Sequence, residues 1–192
     1  MNKEYKKGMT FEEYTNAEQK VLIHEPELLL HPNIPKPLHG LNPRTIRGAK
    51  WWNIHRREAY AANNYHCWAC SKYAPYDHDK KRFISEKLDA HEYYDINYKE
   101  KTAKLKKIVA LCKHCHATIH SGRLQAMFDI GENDIQWLWE LSRHSQNILK
   151  KPLKIDTRDY RQEWNDWRLI IDGVEYKSKF KNMEEWEAEY GR

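Results

Sequence analysis

The sequence predicts an α+β protein organised around a cysteine- and histidine-rich segment, Cys67 to His120. Two observations predict it. All four cysteines of the chain lie in this segment as two C-x-x-C pairs, Cys67–Cys70 and Cys112–Cys115. The residues between the pairs have the pattern of two strands, and a short helical pattern follows. Two such pairs, separated by a looped-out segment, suit one tetrahedral zinc ion bound by four thiolates.

The elements of this segment follow from local patterns. Phe83 to about Tyr94 is predicted as a strand, Ala103 to Leu111 as its partner, and the polar residues between them as a turn. A helix is expected from Lys113 to about Ser121, where Gly122 ends it. The first C-x-x-C pair, the hairpin and a helix whose first turn carries the second C-x-x-C pair together make a treble-clef-like unit around zinc.

The preceding residues are predicted to form a helix and an arm. Thr10 and Glu13 have the spacing of a capping box, which predicts a short helix from Phe11 to about Leu22. A proline-rich stretch then predicts an irregular arm up to residue 43, because proline removes backbone donors. A further helix is expected from Lys50 to about Ala62.

Beyond residue 125 the sequence predicts an accessory region, residues 126–192, rich in helix. Helical patterns cover Leu124–Ile130 and Ile135–Leu149, a tight Asp172-Gly173 turn predicts a hairpin, and Asn182 caps a last helix. The tryptophans of this region are interpreted as its own small core, with a protein-binding face as the alternative. The three predicted segments are therefore 1–43, 44–125 and 126–192.

Composition narrows the classes of protein. The chain has 192 residues, of which 40% are hydrophobic and 12% aromatic, so it can bury a core. No apolar run approaches the roughly 20 residues of a membrane helix, and no apolar stretch follows the N-terminus as in a signal peptide. A cytoplasmic protein is therefore predicted. In a reducing compartment paired cysteines are more often metal ligands than disulfides.

Positive charge is concentrated on the central segment. Residues 44–123 contain 17 Lys and Arg against 8 Asp and Glu, whereas the rest of the chain is net negative by 4. This distribution is typical of a protein that binds a phosphate backbone, and a nucleic acid is the predicted partner. The candidate contacts are Arg56, Arg57, Lys106, Lys107, Lys113 and Arg123.

The cysteines and histidines carry different chemistry. Four thiolates leave zinc no open position, so the zinc at Cys67, Cys70, Cys112 and Cys115 is predicted to be structural. A redox role for the first pair is the weaker alternative, since no β-α-β pattern surrounds it. His116 and His120 lie four residues apart on the predicted helix and face the same way. The zinc frame would bring His91 beside them, although two solvated surface histidines are the simpler interpretation.

At these residues the sequence resembles the zinc-containing ββα-metal branch of the HNH endonucleases of phages and bacteria. The match lies in Leu88–Glu92 (LDAHE), in Val109–His116 (VALCKHCH) and in His120–Arg123 (HSGR), and it covers roughly residues 38–125. In place of the Asp that often precedes the strand histidine, this chain has Ala90. Lys107 stands where the family usually has its middle Asn.

The resemblance implies a metal-dependent phosphodiesterase that cleaves DNA. It implies His91 as general base and His116, with His120 as a second ligand, at a catalytic Mg²⁺ or Mn²⁺. An alternative assignment makes His91 the ligand and Glu92 the base. A non-catalytic zinc module that binds DNA or a protein remains the second hypothesis. A zinc deaminase is disfavoured, because Tyr93 stands where its glutamate should be.

Overall fold

The computed structural model describes residues 22–120, 135–151 and 164–190. The helices predicted from Phe11 and over Leu124–Ile130 lie outside these residues, as does Arg123. The described part confirms the α+β class. Its helices and strands are α1 (Pro43–Ala62), β1 (Tyr76–Asp77), β2 (Arg82–Phe83), β3 (Asp89–Asn97), β4 (Thr102–Leu111), α2 (Lys113–Ile119), α3 (Ile135–Leu149), β5 (Arg168–Ile171), β6 (Val174–Lys177) and α4 (Met183–Tyr190).

Strands β3 and β4 form the predicted antiparallel ribbon, from Asp89 opposite Leu111 to Asn97 opposite Thr102. The ribbon begins later than the predicted start at Phe83. Phe83 instead pairs with Tyr76 in a separate hairpin of two-residue strands. The reason is aromatic packing, because Phe83 and a stacked pair of tyrosines, Tyr65 and Tyr76, contact one another.

Strands β5 and β6 extend the same sheet, whose order is β3-β4-β5-β6. Strand β5 pairs in parallel with the start of β4, at Thr102–Lys104, and so satisfies backbone groups that an edge strand would leave open. The turn between β5 and β6 is the predicted Asp172-Gly173 pair, and both residues have positive φ, as a tight hairpin turn requires.

The prediction that the C-terminal tryptophans form a core of their own is wrong. Trp167, Leu169 and Ile171 are buried in one cluster with Leu38 of the arm and Tyr94 of β3. The parallel pairing of β5 with β4 causes this, because it lays the inner face of the hairpin beside the central ribbon.

Helix α1 is longer than predicted and begins at Pro43 instead of Lys50. The side chain of Asn42 caps it by accepting a hydrogen bond from the Thr45 amide (2.9 Å), and proline suits the first helical position. Gly48 interrupts the helix with a φ of 84°, which marks a kink. Beyond the kink α1 packs against β4 and β3.

The proline-rich arm, residues 22–42, packs onto the protein through buried leucines. Its two short 3₁₀ helices, Pro26–Leu30 and Lys36–Leu38, bury Leu28, Leu29 and Leu38. The Asn63 side chain holds the start of the arm through the backbone N–H and carbonyl of Ile23. The first 3₁₀ helix contacts both α2 and α3. No helix in the described ranges is long and apolar enough to cross a membrane.

Replacing Trp167 with alanine is expected to lower the free energy of unfolding by about 3–5 kcal/mol, because a large aromatic side chain leaves a cavity in a closed core. Trp167 is only 1% exposed, whereas Trp139 on α3 is 71% exposed. Trp139→Ala is therefore the matched control and should change stability by less than about 0.5 kcal/mol. Urea unfolding measures both. Equal effects of the two substitutions would contradict the described core.

Candidate metal centres

The four cysteines come together where α1, β4 and α2 meet. Cys67 and Cys70 lie in the turn after α1, Cys112 directly follows β4 as the N-cap of α2, and Cys115 lies in the first turn of α2. Their Sγ atoms all lie within 4.8 Å of one another. The Sγ atoms of Cys70 and Cys112 are 3.7 Å apart. Zinc–sulfur bonds of about 2.3 Å in a tetrahedron place sulfurs about 3.8 Å apart, so the cluster can hold one metal ion such as zinc.

Crowding of the thiols perturbs their ionisation. Hydrogen bonds from the neighbouring thiols, the largest from Cys115, lower the pKa of Cys112 and so favour its thiolate. Hydrogen bonding to Cys112 in turn raises the pKa of Cys115 and of Cys70. Metal binding would replace the remaining protons, because the thiolate is the form that binds.

His144 of α3 is a neighbour of this cluster that the sequence did not indicate. Its Nε2 lies 3.3 Å from the Sγ of Cys115. The ring of His114 lies between the rings of His144 and Trp137, with centroid distances of 5.3 and 4.9 Å. These contacts connect α3 to α2 beside the cysteines. No local pattern signals such a contact, because His144 is 29 residues from Cys115 and lies on an otherwise ordinary amphipathic helix.

A second cluster consists of His91 from β3 and His116 and His120 from the α2 end of the chain. One ring nitrogen from each lies within 4.8 Å of the others. The ring centroid of His91 is 5.4 Å from that of His116 and 5.1 Å from that of His120. The ribbon register produces this convergence, because β4 pairs with β3 along its length and passes directly into α2 at Cys112.

His116 is oriented by a carboxylate. Its Nδ1 lies 3.4 Å from Oδ2 of Asp89, and hydrogen bonding to His116 lowers the pKa of Asp89. Its Nε2 lies 3.1 Å from Nε2 of His120. Tetrahedral ligands at about 2.0–2.1 Å from zinc are about 3.3 Å apart, so the two facing nitrogens are close to the spacing of ligands on one ion. Carboxylates in this position commonly fix the orientation of metal-binding histidines.

His91 is buried, with 6% of its surface exposed, and the described residues give neither of its ring nitrogens a hydrogen-bond partner. Burial, more than the nearby histidines, lowers the pKa of His91 to about 2, so the ring is neutral at physiological pH. A buried polar group without a partner costs about 1–3 kcal/mol, and such groups call for an explanation. A metal ion bound at the cluster would use one of the two nitrogens.

Glu92 follows His91 on β3 and is half-buried. Successive residues of a strand face opposite sides, so Glu92 leaves β3 on the side away from His91. Burial raises the pKa of Glu92.

The predicted DNA contacts differ in their surroundings. Arg57, Lys106 and Lys113 are exposed, and Arg56 is half-buried beside the side chain of Tyr60. Lys106 occupies the bulge where β3 and β4 shift register. Lys113 lies over the ring of Trp137, 5.2 Å from its centroid.

Lys107 is engaged within the protein. Its Nζ lies 2.5 Å from Oε2 of Glu25 in the arm, and it also lies 5.3 Å from the ring centroid of Trp68 and 5.6 Å from that of Tyr93. One of these three partners, Glu25, belongs to the arm. The ion pair with Glu25 lets Lys107 hold the arm against the sheet, whereas a contact of Lys107 with DNA stays a prediction.

No family model matches the chain, and no curated protein and no solved structure matches it. The described fold and site define an α+β protein with two groups of side chains that could each hold a metal ion. One group has four thiols and the other has three imidazoles.

Proposed function

We propose that the protein is a metal-dependent DNA endonuclease of the HNH type, in which β3, β4 and α2 form a ββα-metal unit. The observation that carries this proposal is the convergence of His91, His116 and His120 beside the four-cysteine cluster. Three protein ligands leave a fourth position for water or substrate, which is the arrangement of catalytic metal sites. Four thiolates leave none, so the cysteines hold a structural zinc.

The geometry supports the ligand half of the second assignment that the sequence leaves open, whereas Glu92, on the opposite face of β3, is taken from that assignment as the proposed base. His91 lies within ligand distance of both other histidines, and burial keeps it neutral, as a metal ligand must be. His91 is then the third ligand, and Glu92 is the general base. A base works best with a pKa near the operating pH, and burial shifts the pKa of Glu92 in that direction.

The donor set also bears on the identity of the catalytic metal. Three imidazoles suit zinc, nickel and similar transition metals, whereas Mg²⁺ and Mn²⁺ prefer oxygen ligands and water. The expected Mg²⁺ or Mn²⁺ dependence is therefore replaced in this proposal by a preference for Zn²⁺, Ni²⁺ or Co²⁺. When bound, the metal would stabilise the charge on the phosphate and on the leaving oxygen.

The residues of the chain supply the remaining parts of the reaction. Asp89 holds the His116 ring in one orientation. Glu92 takes a proton from the attacking water. The exposed cations Arg57, Lys106 and Lys113 attract the DNA backbone, and such contacts position the duplex without reading its sequence.

Cleavage of plasmid and single-stranded DNA, with Zn²⁺, Ni²⁺, Co²⁺, Mn²⁺ and Mg²⁺ each titrated into the metal-stripped second centre, tests the proposal. The wild type should cleave with at least one of Zn²⁺, Ni²⁺ and Co²⁺, and His116→Ala should reduce cleavage by at least about 10³-fold. His24→Ala is the control, because this exposed histidine contacts Ser71 and neither cluster. If no metal supports cleavage, the non-catalytic zinc module is the better description.

A further inference from the structure

His31 of the arm lies against the three-histidine cluster. Its ring centroid is 5.8 Å from that of His91, with the two planes nearly perpendicular, and 4.5 Å from that of Tyr93. It is 8% exposed, and its Nδ1 is buried with no hydrogen-bond partner among residues 22–120, 135–151 and 164–190. Two adjacent histidines, each more than nine-tenths buried, therefore have ring nitrogens that no group in this part of the chain satisfies.

The other ring nitrogen of His31 is held by the backbone of β3. Its Nε2 lies 2.9 Å from the carbonyl oxygen and 3.0 Å from the amide nitrogen of Tyr94. Two tautomers fit these distances. In one, Nε2–H donates to the carbonyl and Nδ1 is an acceptor; in the other, Nε2 accepts from the amide and Nδ1 carries the proton.

Metal binding at His91 distinguishes the two tautomers. A neutral imidazole that binds a metal through one nitrogen carries a proton on the other, and that N–H needs an acceptor. Asp89 supplies the acceptor for His116, but the described residues provide no hydrogen-bond partner for His91. A hydrogen bond of about 2.9 Å between two rings places their centroids about 5 Å apart, so a small approach of His31 and His91 would form it.

We infer that His31 is a positioning residue of the three-histidine centre. Its Nδ1 accepts a hydrogen bond from His91, and its Nε2–H donates one to the Tyr94 carbonyl. The inference rests on the metal-binding part of the proposed function and does not depend on the reaction. Through this pair, the arm fixes the orientation of a ligand on β3. The arm also contacts α2, which precedes His120, so it joins both elements that carry the histidines.

Metal affinity measured without DNA tests the inference. Protein with zinc at the cysteines is titrated with Co²⁺ by calorimetry and absorbance, in the wild type, in His31→Phe and in Asp89→Asn. His31→Phe removes the acceptor behind His91, and Asp89→Asn removes the negative charge of the acceptor behind His116, so each should weaken Co²⁺ binding about 10–100-fold. His39→Phe is the matched control, because His39 is a half-buried histidine of the same arm whose ring also contacts a backbone carbonyl, that of Ile34, but it lies beside Trp186 and not beside the cluster. It should leave Co²⁺ affinity unchanged.

The outcomes separate the two proposals. Unchanged affinity in a folded His31→Phe protein overturns the role of His31 and leaves the nuclease proposal intact. A wild type that binds no ion at the second centre overturns both.

Because His31→Phe also loses a backbone contact, a second measurement uses the wild type alone. Nitrogen-15 NMR of the Zn²⁺-loaded protein should show His31 protonated at Nε2 and not at Nδ1. The opposite tautomer would refute the inference even if the variant fails to fold.

Discussion

Cys67→Ser is expected to abolish the folded state at 25 °C. Cys67 is fully buried, and the four sulfurs join the end of α1, the end of β4 and the start of α2. Structural zinc contributes about 10–16 kcal/mol to the folding of small zinc domains, and whole domains are stable by only about 5–15 kcal/mol. Losing one ligand therefore removes most of the free energy that keeps the domain folded. Circular dichroism and zinc content per chain measure the result.

Chelation of the wild type provides the control for this substitution. A strong chelator should unfold the protein in the same way, and added Zn²⁺ should restore it, because the substitution and the chelator remove the same interaction. His144→Gln should leave the four-thiolate site intact and weaken zinc binding only modestly, since His144 contacts the sulfur of Cys115 without being a ligand in the proposed site. A zinc-free protein that keeps native dichroism would contradict the assigned structural role.

Glu92→Gln is expected to reduce DNA cleavage by about 10²–10⁴-fold while leaving metal binding unchanged. The amide has nearly the shape of the carboxyl group but cannot take a proton from water. His91→Ala should also stop cleavage, but by a different route, because it removes a metal ligand and should weaken metal binding at the second centre. Cleavage rates and Co²⁺ affinities, measured on the same preparations, distinguish the two effects.

The paired variants decide between the two assignments of base and ligand. If His91→Ala keeps full metal affinity and Glu92→Gln keeps full cleavage, then His91 is the base, as the family resemblance first suggests. Glu58→Gln is the control for the charge change, because Glu58 is exposed on α1. Its cleavage rate should equal that of the wild type.

Local signals predicted many of the elements well. Asn63-Asn64 ends α1, the Asp172-Gly173 turn joins β5 to β6, and the caps at Asn182 and Glu185 start α4 through two hydrogen bonds. Each of these depends on residues within a few positions of one another. The starts of α1 and β3 were misplaced, because a kinked helical turn and a short aromatic hairpin precede them.

The residues of the candidate site also fall into two groups, those that a local sequence pattern indicates and those that only the tertiary structure reveals. The cysteine pairs and the His116/His120 spacing are local, so the sequence indicates them directly, and the ribbon between them brings in His91. The roles of His31 and His144 depend on residues 60 and 29 positions away from the side chains that they contact. Neither position has a pattern that predicts such a contact.

The sequence by itself determined the class of fold, the four-thiol cluster and the histidine pair, because cysteine spacing and helical period are properties of neighbouring residues. The tertiary structure decided that the C-terminal hairpin extends the central sheet and that the arm packs against the core. It also decided which groups surround His91. These depend on contacts between distant segments. Such contacts form through burial of apolar surface, which has no direction and therefore leaves no local signature in the chain.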